Sequence, residues 1–284
     1  MEQQKCIQNN CEAKAGDYKC HEECNTHICN YDGGDCRLGL NPWKYCNVTV
    51  RSRQRKSCRD VFQDGYCDEE CNNKACLFDG RDCEAGGGQL QCDAHYDVYC
   101  SAHYADGKCD ERCNNAACGW DGLDCINNDK KGKKSHHKII PGSFYVVLTM
   151  TLEKFDDELQ KRFERYLSLK LRTNFHIKKH PETGEPMIYE YNPSVNDIKD
   201  SQYAFNTNLM LQSNLGIIVY LEIDNAKCGN EATNEVFEEN CFEDAEGYAN
   251  LFGAMIGAEK LQDDWGIVEV GAGKNQDNEQ GTQT

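Results

Sequence analysis

Nine aspartates stand at fixed places relative to the cysteines. Each of three units carries one aspartate three residues before its third cysteine (Asp17, Asp64, Asp106). Each unit then closes in D-G-x-D-C, which adds Asp32 and Asp35, Asp79 and Asp82, and Asp121 and Asp124. Three carboxylates gathered at one place are a ligand set for a hard cation. Calcium takes six to eight oxygens, from carboxylates and backbone carbonyls. The glycine inside D-G-x-D permits the tight turn that lets both side chains converge. The set is not an EF-hand, whose loop ends in a glutamate. Aspartate and glycine also make ordinary turns, but the same register in all three units favours calcium, one ion per unit and three in total.

Elements so poor in apolar residues need another way to hold the carboxylates in place. Of 20 cysteines, 18 lie between Cys6 and Cys125. From the second cysteine of each unit the spacing is C-x8-C-x3-C-x4-C-x6-C. The units are Cys6, Cys11, Cys20, Cys24, Cys29 and Cys36; then Cys46, Cys58, Cys67, Cys71, Cys76 and Cys83; then Cys92, Cys100, Cys109, Cys113, Cys118 and Cys125. Only the gap between the first two varies, and in the second unit it holds the basic insert RSRQRK. Chains below ~40 residues need disulfides or metal to fold. Three disulfides per unit answer that need, with fifteen connectivities open. Zinc is the competing use of cysteine, but it expects four-ligand sites, often with histidine. Six cysteines overfill one such site and no histidine recurs, so disulfides are favoured.

An even cysteine count in a loop-rich chain points to an oxidising compartment, and the sequon Asn47-Val48-Thr49 agrees with it as a glycosylation site. No signal peptide is evident, and the longest apolar run, Gly216 to Ile223, is too short to span a bilayer. The chain reads as a segment of a larger secreted or membrane-anchored protein. Its net charge of −17 argues against nucleic acid as a partner and is compatible with a cation.

The second half is compositionally ordinary. The basic stretch Lys130 to Lys138 reads as a solvated linker rather than a nuclear signal, given its disulfide-rich neighbour. FYVVLTM reads as a buried strand. Asp156 and Asp157 open a helix with Leu159, Phe163, Tyr166, Leu167 and Lys170 at helical spacing. TNFHIKKH and MIYEY read as strands around a turn at Pro181 to Gly184, and LGIIVYLEID as the strongest strand. Tyr248, Leu251, Phe252, Met255 and Ile256 share a helical face, and GIVEV closes as a strand. The expected fold is therefore small disulfide-rich, calcium-binding repeats followed by an α/β sandwich of order β-α-β-β-β-α-β. The polar residues 274–284 read as a disordered tail.

Catalytic patterns are missing. His176 and His180 have H-x3-H spacing without the glutamate of HExxH, and on a strand they lie too far apart to share a metal easily. There is no G-x-S-x-G and no Walker loop. With every cysteine assigned to a pair, no thiol nucleophile is left. The reading is non-enzymatic.

At this point the pattern resembles the Lin12-Notch repeat, and three repeats followed by an α/β domain look like the negative regulatory region of a Notch receptor. The resemblance implies repeat A over 1–38, a linker and repeat B over 39–86, repeat C over 87–128, a linker over 129–141 and a heterodimerisation domain over 142–273. It implies the pairs Cys6–Cys29, Cys11–Cys24 and Cys20–Cys36, then Cys46–Cys76, Cys58–Cys71 and Cys67–Cys83, then Cys92–Cys118, Cys100–Cys113 and Cys109–Cys125, with Cys228–Cys241 in the domain. It adds backbone carbonyls of Lys14, Val61 and His103 to the calcium ligands. It further implies a juxtamembrane, extracellular position in a single-pass receptor. There the repeats shield a cleavage site for an ADAM-type metalloprotease, within Val268, Glu269, Val270 and Gly271, the bond Glu269-Val270 first among them. The linker residues Leu38, Leu40 and Trp43 would plug the pocket over that strand. Force from Delta/Serrate-class ligands, acting through EGF-like repeats outside this chain, would expose the site and start intramembrane proteolysis and transcriptional signalling. One departure stands out. The loop Asn192 to Asn214 has no arginine, so the R-x-K/R-R convertase site of many family members is missing there. The alternative is a repeat module attached to a secreted metalloprotease or a Golgi transferase; the α/β half with GIVEV near its end favours the receptor.

Overall fold

The computed structural model describes residues 2–15, 20–25, 29–33, 36, 40–51, 55–84, 91–126, 137–191, 216–227, 240–257 and 265–273. Asp17, Asp35, Leu38 and Cys228, the linker 127–136, the loop 192–215 and the tail lie outside the described residues.

Regular structure is scarce in the repeats because few residues there have an apolar face to bury. The first holds α1 (Glu2–Gln8), α2 (Cys11–Lys14) and α3 (Asn30–Gly33). The second holds a two-stranded hairpin, β1 (Thr49–Val50) and β2 (Lys56–Ser57), and α4 (Cys58–Val61). The third holds α5 (Ala94–His103). Cross-links do the work of a core. Nine disulfides join the first cysteine of each unit to the fifth, the second to the fourth and the third to the sixth. Cys241 is also disulfide-bonded. Removing one native disulfide from a small domain costs about 2–5 kcal/mol.

The second half follows the expected order: β3 (Ser143–Leu148), α6 (Asp157–Leu171), β4 (Asn174–Ile177), β5 (Ile188–Tyr191), β6 (Gly216–Asp224), α7 (Ala245–Gly257) and β7 (Ile267–Gly273). The sheet runs β4-β6-β3-β7, with β5 paired to β6 beside β4, and every pairing is antiparallel. Asp156 caps α6 by accepting from the Leu159 amide at 2.9 Å. The buried stripe Phe163, Leu167, Leu171 then recurs every four residues, the spacing that lines up one helical face. It meets Phe144, Val146, Val219, Leu221 and Val270 from one face of the sheet, and Tyr248, Leu251 and Phe252 from α7. Each such side chain contributes about 1.5–3 kcal/mol when fully buried.

The two halves share this core. Phe62, Leu77 and Phe78 of the second repeat belong to the same buried cluster as the sheet and both helices. Phe78 meets Phe242 edge-on at 5.1 Å between ring centroids. The third repeat docks more lightly: Leu123 and Ile126 close with Ala226 over the half-buried Trp120, and Lys227 lies 5.8 Å from the Trp120 ring centre.

Candidate functional site: carboxylate cages and a covered strand

The D-G turn is built the same way in all three repeats. Asp32, Asp79 and Asp121 have left-handed backbones, with φ of 60°, 53° and 55°. In the second repeat the whole run Leu77 to Arg81 is left-handed, which costs roughly 1–2 kcal/mol per non-glycine residue. The flanking Cys76 and Cys83, both cross-linked, hold it there. The glycine is required twice over. A Cβ on Gly33, Gly80 or Gly122 would stand 2.3 Å from Ala15, 2.2 Å from Gln63 and 2.6 Å from Ala105. Thus each D-G turn packs directly on the segment that leads to the first aspartate of its unit.

One carboxylate oxygen per turn is tied down and the other is not. Asp32, Asp79 and Asp121 each accept the backbone N–H of the residue after the third cysteine: His21 at 2.7 Å, Asp68 at 2.7 Å and Asp110 at 2.6 Å. The second oxygen, Oδ1 in all three, is buried and accepts nothing among the described residues. An unpaired buried acceptor costs about 1–3 kcal/mol, more for a charged group. The same orphan in three repeats is therefore a place for a cation. The neighbours are arranged likewise. Asp82 and Asp124 accept the amides of Gly65 at 2.9 Å and Gly107 at 3.0 Å. Asp64 and Asp106 accept those of Tyr66 at 2.9 Å and Lys108 at 2.8 Å. Burial first, then the carboxylates of Asp82, Asp68 and Asp64, pushes Asp79 up to about 7. Burial and the neighbouring carboxylates push Asp121 up to about 6. A bound cation would relieve both causes. The donors are all oxygens, as a hard cation prefers. Asp17 and Asp35 lie outside the described residues, so the first cage is represented by Asp32.

Some of the cage was not legible as chemistry. The residue after the third cysteine differs between units: His21 sets Nδ1 at 2.8 Å from Asp32, and Asp110 accepts the Tyr99 hydroxyl at 2.9 Å. His103, Asp106 and Asp110 bring one possible ligand atom each to within 4.8 Å of one another. The recurring polar position after the cysteine was the available signal for Asp68 and Asp110.

The last strand is covered from the helical side. Among the described residues β7 is an edge strand paired only with β3, with Glu269, Val270 and Gly271 opposite Val147, Val146 and Tyr145. Val270 is 1% exposed. Glu269 is gripped from the other face by the hydroxyls of Tyr145 at 3.0 Å and Tyr191 at 3.1 Å. Gly271 lies under the Tyr145 ring, which a Cβ would meet at 2.3 Å. α7 packs on β7, and the linker packs on α7: a Cβ at Gly253 would stand 3.0 Å from Leu40 Cδ1 and 3.9 Å from Pro42 Cγ. Trp43 meets Phe62 edge-on at 5.1 Å. Leu40 and Trp43 thus rest on the shared core. Asn47 is exposed just before β1.

Polar contacts that no repeat pattern announced fasten the repeats to α6. Arg81 pairs with Glu84 at 2.6 Å and donates to the Leu171 carbonyl at 2.8 Å, and Arg172 pairs with the other Glu84 oxygen. All three side chains are nearly inaccessible to water. In the third repeat Asp97 pairs with Arg165 at 2.5 Å, Tyr104 donates to Ser168 at 3.0 Å, and Gly119 accepts from Asn174 at 3.1 Å.

Clustered carboxylates in cross-linked repeats, sharing one core with a sheet that ends in β7, define a class of cysteine-rich repeat module packed on an α/β domain. The comparisons with known proteins agree. The family model described as "Notch: LNR domain" matches residues 3–37, 43–84 and 89–126. Two models described as "NOTCH protein" match 136–193 and 214–278. The chain is 38% identical over 285 residues to neurogenic locus notch homolog protein 1 of Cricetulus griseus, covering 93% of this chain and 10% of that protein. It is 38% identical over 286 residues to the neurogenic locus Notch protein of Drosophila melanogaster, covering 98% and 10%. It is 39% identical over 250 residues to human neurogenic locus notch homolog protein 2, covering 87% and 9%. The chain belongs to the Notch family and corresponds to its negative regulatory region. It spans about 10% of the length of these curated relatives.

Proposed function

We propose that this chain is the autoinhibitory, extracellular juxtamembrane region of a Notch-type receptor, and that it is a protease substrate rather than an enzyme. The observation that carries the reading is the core shared between the second repeat and the α/β domain, above a covered edge strand. A protease needs its target backbone free and extended. Here Glu269, Val270 and Gly271 are paired to β3, the register shifting past Val268, and Val270 is buried in the core. Lifting the repeats would remove Phe62, Leu77 and Phe78 from that core and Leu40 from α7, and so loosen the packing that holds β7. Leu38, Leu40 and Trp43 would together form the plug.

Each repeat would hold one calcium ion. The ligands would be Asp64, Asp79 and Asp82 in the second repeat and Asp106, Asp121 and Asp124 in the third, with Asp17, Asp32 and Asp35 in the first. Carbonyls of Lys14, Val61 and His103 would complete them. When bound, such an ion neutralises the clustered carboxylates and ties the D-G turn to the segment preceding the third cysteine. Ions bound only by the folded repeats stabilise the covered state. The partners would be an ADAM-type metalloprotease acting on β7 and a Delta/Serrate-class ligand acting through EGF-like repeats elsewhere in the receptor.

The test is cleavage of a membrane-tethered form without ligand. Chelation with EDTA should permit it, and Leu38→Ala should raise the basal rate. Cleavage unchanged by chelation would overturn the reading; an unchanged rate in Leu38→Ala would remove that residue from it.

A further inference from the structure

The insert that lengthens the second repeat has no part in the cages or the covered strand. It reads R-S-R-Q-R-K-S-C-R, five cations in nine residues without an acid, in a chain of net charge −17. Its described ends form a two-residue ladder: Val50 pairs with Lys56 and Thr49 with Ser57, so Arg51 and Arg55 stand at the next step beyond it. Arg51, Arg55 and Lys56 are all exposed, and among the described residues none of the three forms an ion pair. The nearest acid in sequence, Asp60, is turned away: its Oδ2 accepts from the Ser57 amide at 3.1 Å and the Ser57 hydroxyl at 2.7 Å, capping α4. The base of the hairpin is firm, with Val50 and Cys58 buried in the small cluster of the second repeat.

We propose that this hairpin is a docking surface for a sulfated polysaccharide of the cell surface or matrix. Two exposed arginines and an exposed lysine between Arg51 and Lys56 suit a polymer of sulfates, since guanidinium forks bind such oxyanions bidentately. The acidic remainder of the chain does not prevent this. At physiological salt the screening length is about 8 Å, so a local cationic tip governs contact and the distant carboxylates do not. The insert is the feature that sets this repeat apart from its two neighbours, which reach from the first cysteine to the second without it. The inference is independent of the autoinhibitory reading: binding to a glycan requires neither cleavage nor a ligand.

The experiment passes the intact, calcium-loaded chain over immobilised heparin at about 0.15 M salt. Retention is expected, with the logarithm of affinity falling against the logarithm of salt at a slope of about 3, near one per engaged cation. The triple variant Arg51→Ala, Arg55→Ala, Lys56→Ala should lose at least about tenfold in affinity, while Arg51→Lys with Arg55→Lys keeps most of it. Hydrogen exchange on the triple variant should match the parent outside the hairpin. A chain that flows through, or a triple variant retained like the parent, overturns the proposal. So does loss of binding only when Lys130, Lys131, Lys133 and Lys134 are replaced. Equal binding to desulfated heparin or to phosphatidylserine vesicles overturns the choice of a sulfated glycan.

Discussion

The repeats and the α/β domain solve the same problem with opposite means. In the domain, Phe144, Phe163, Leu167 and Phe252 are fully buried and the backbone is a ladder-bonded sheet. In the third repeat the buried interior among the described residues is chiefly cysteine sulfur, with Cys100, Cys113 and Cys118 at its centre and charged Asp121 beside them. A hydrophobic core fails only when much of it is exposed at once. A cross-linked shell around carboxylates should respond more strongly to a small ion and to reduction than the neighbouring sheet, whose strands carry no cysteine. The second repeat stands between the two designs, because Phe62, Leu77 and Phe78 are lodged in the domain's core. On the proposed function, this is the contact through which a state of the repeats would reach β7.

Several measurements would break or sharpen this contrast. The largest effect should come from full reduction. Exchange protection should collapse across 46–126 while β3, β4 and β6 stay protected. Equal loss in both halves would end the comparison. Two substitutions in the seam should come next. Glu84→Ala leaves Arg81 and Arg172 buried without their partner and should cost about 3–5 kcal/mol in chemical denaturation. Phe78→Ala should cost about 3–5 kcal/mol, though it lies in a repeat; a cost like that of an exposed site would place the core boundary elsewhere. A pH series gives a smaller effect. Asp79 is raised to about 7 and Asp121 to about 6 in the ion-free chain. Because these folded values exceed the unfolded one, the proton stabilises the fold fully below pH ~4, and this support is lost as pH rises through about 6 and 7. Melting in EDTA should therefore fall from pH 5 to 7.5. With calcium present the trend should reverse, since protons then compete with the ion. The smallest effect belongs to Lys74→Ala, whose 2.6 Å pair with Glu243 is solvent-exposed; stability should not change measurably.

The sequence carried what repeats or alternates. The cysteine and aspartate registers were legible because three copies say the same thing, and the seven elements of the domain because Phe163, Leu167 and Leu171 keep helical period while Ile217, Val219, Leu221 and Ile223 alternate along β6. The resemblance, not the spacing, supplied the disulfide pairing. Contacts formed by single residues far apart in the chain were not legible. Arg81 occupies the variable position of D-G-x-D-C, where the third repeat has Leu123, so nothing in the register marks it as a partner of Glu84 and Leu171. Glu269 reads as one polar residue in GIVEV, and only the fold brings Tyr145 and Tyr191 to it.

The order of the strands has a consequence for chain integrity. β3, β4 and β5 precede the loop 192–215 and β6 and β7 follow it, and each of the four ladders of the sheet joins a strand from one side to a strand from the other. Within the first segment the described residues add only the isolated Lys179–Pro186 bridge at the β4–β5 turn. A nick in that loop should therefore leave two polypeptides that cannot part without dissolving all four of these ladders. Tension on the C-terminus, by contrast, meets β7 first, and β7 has a single ladder to lose.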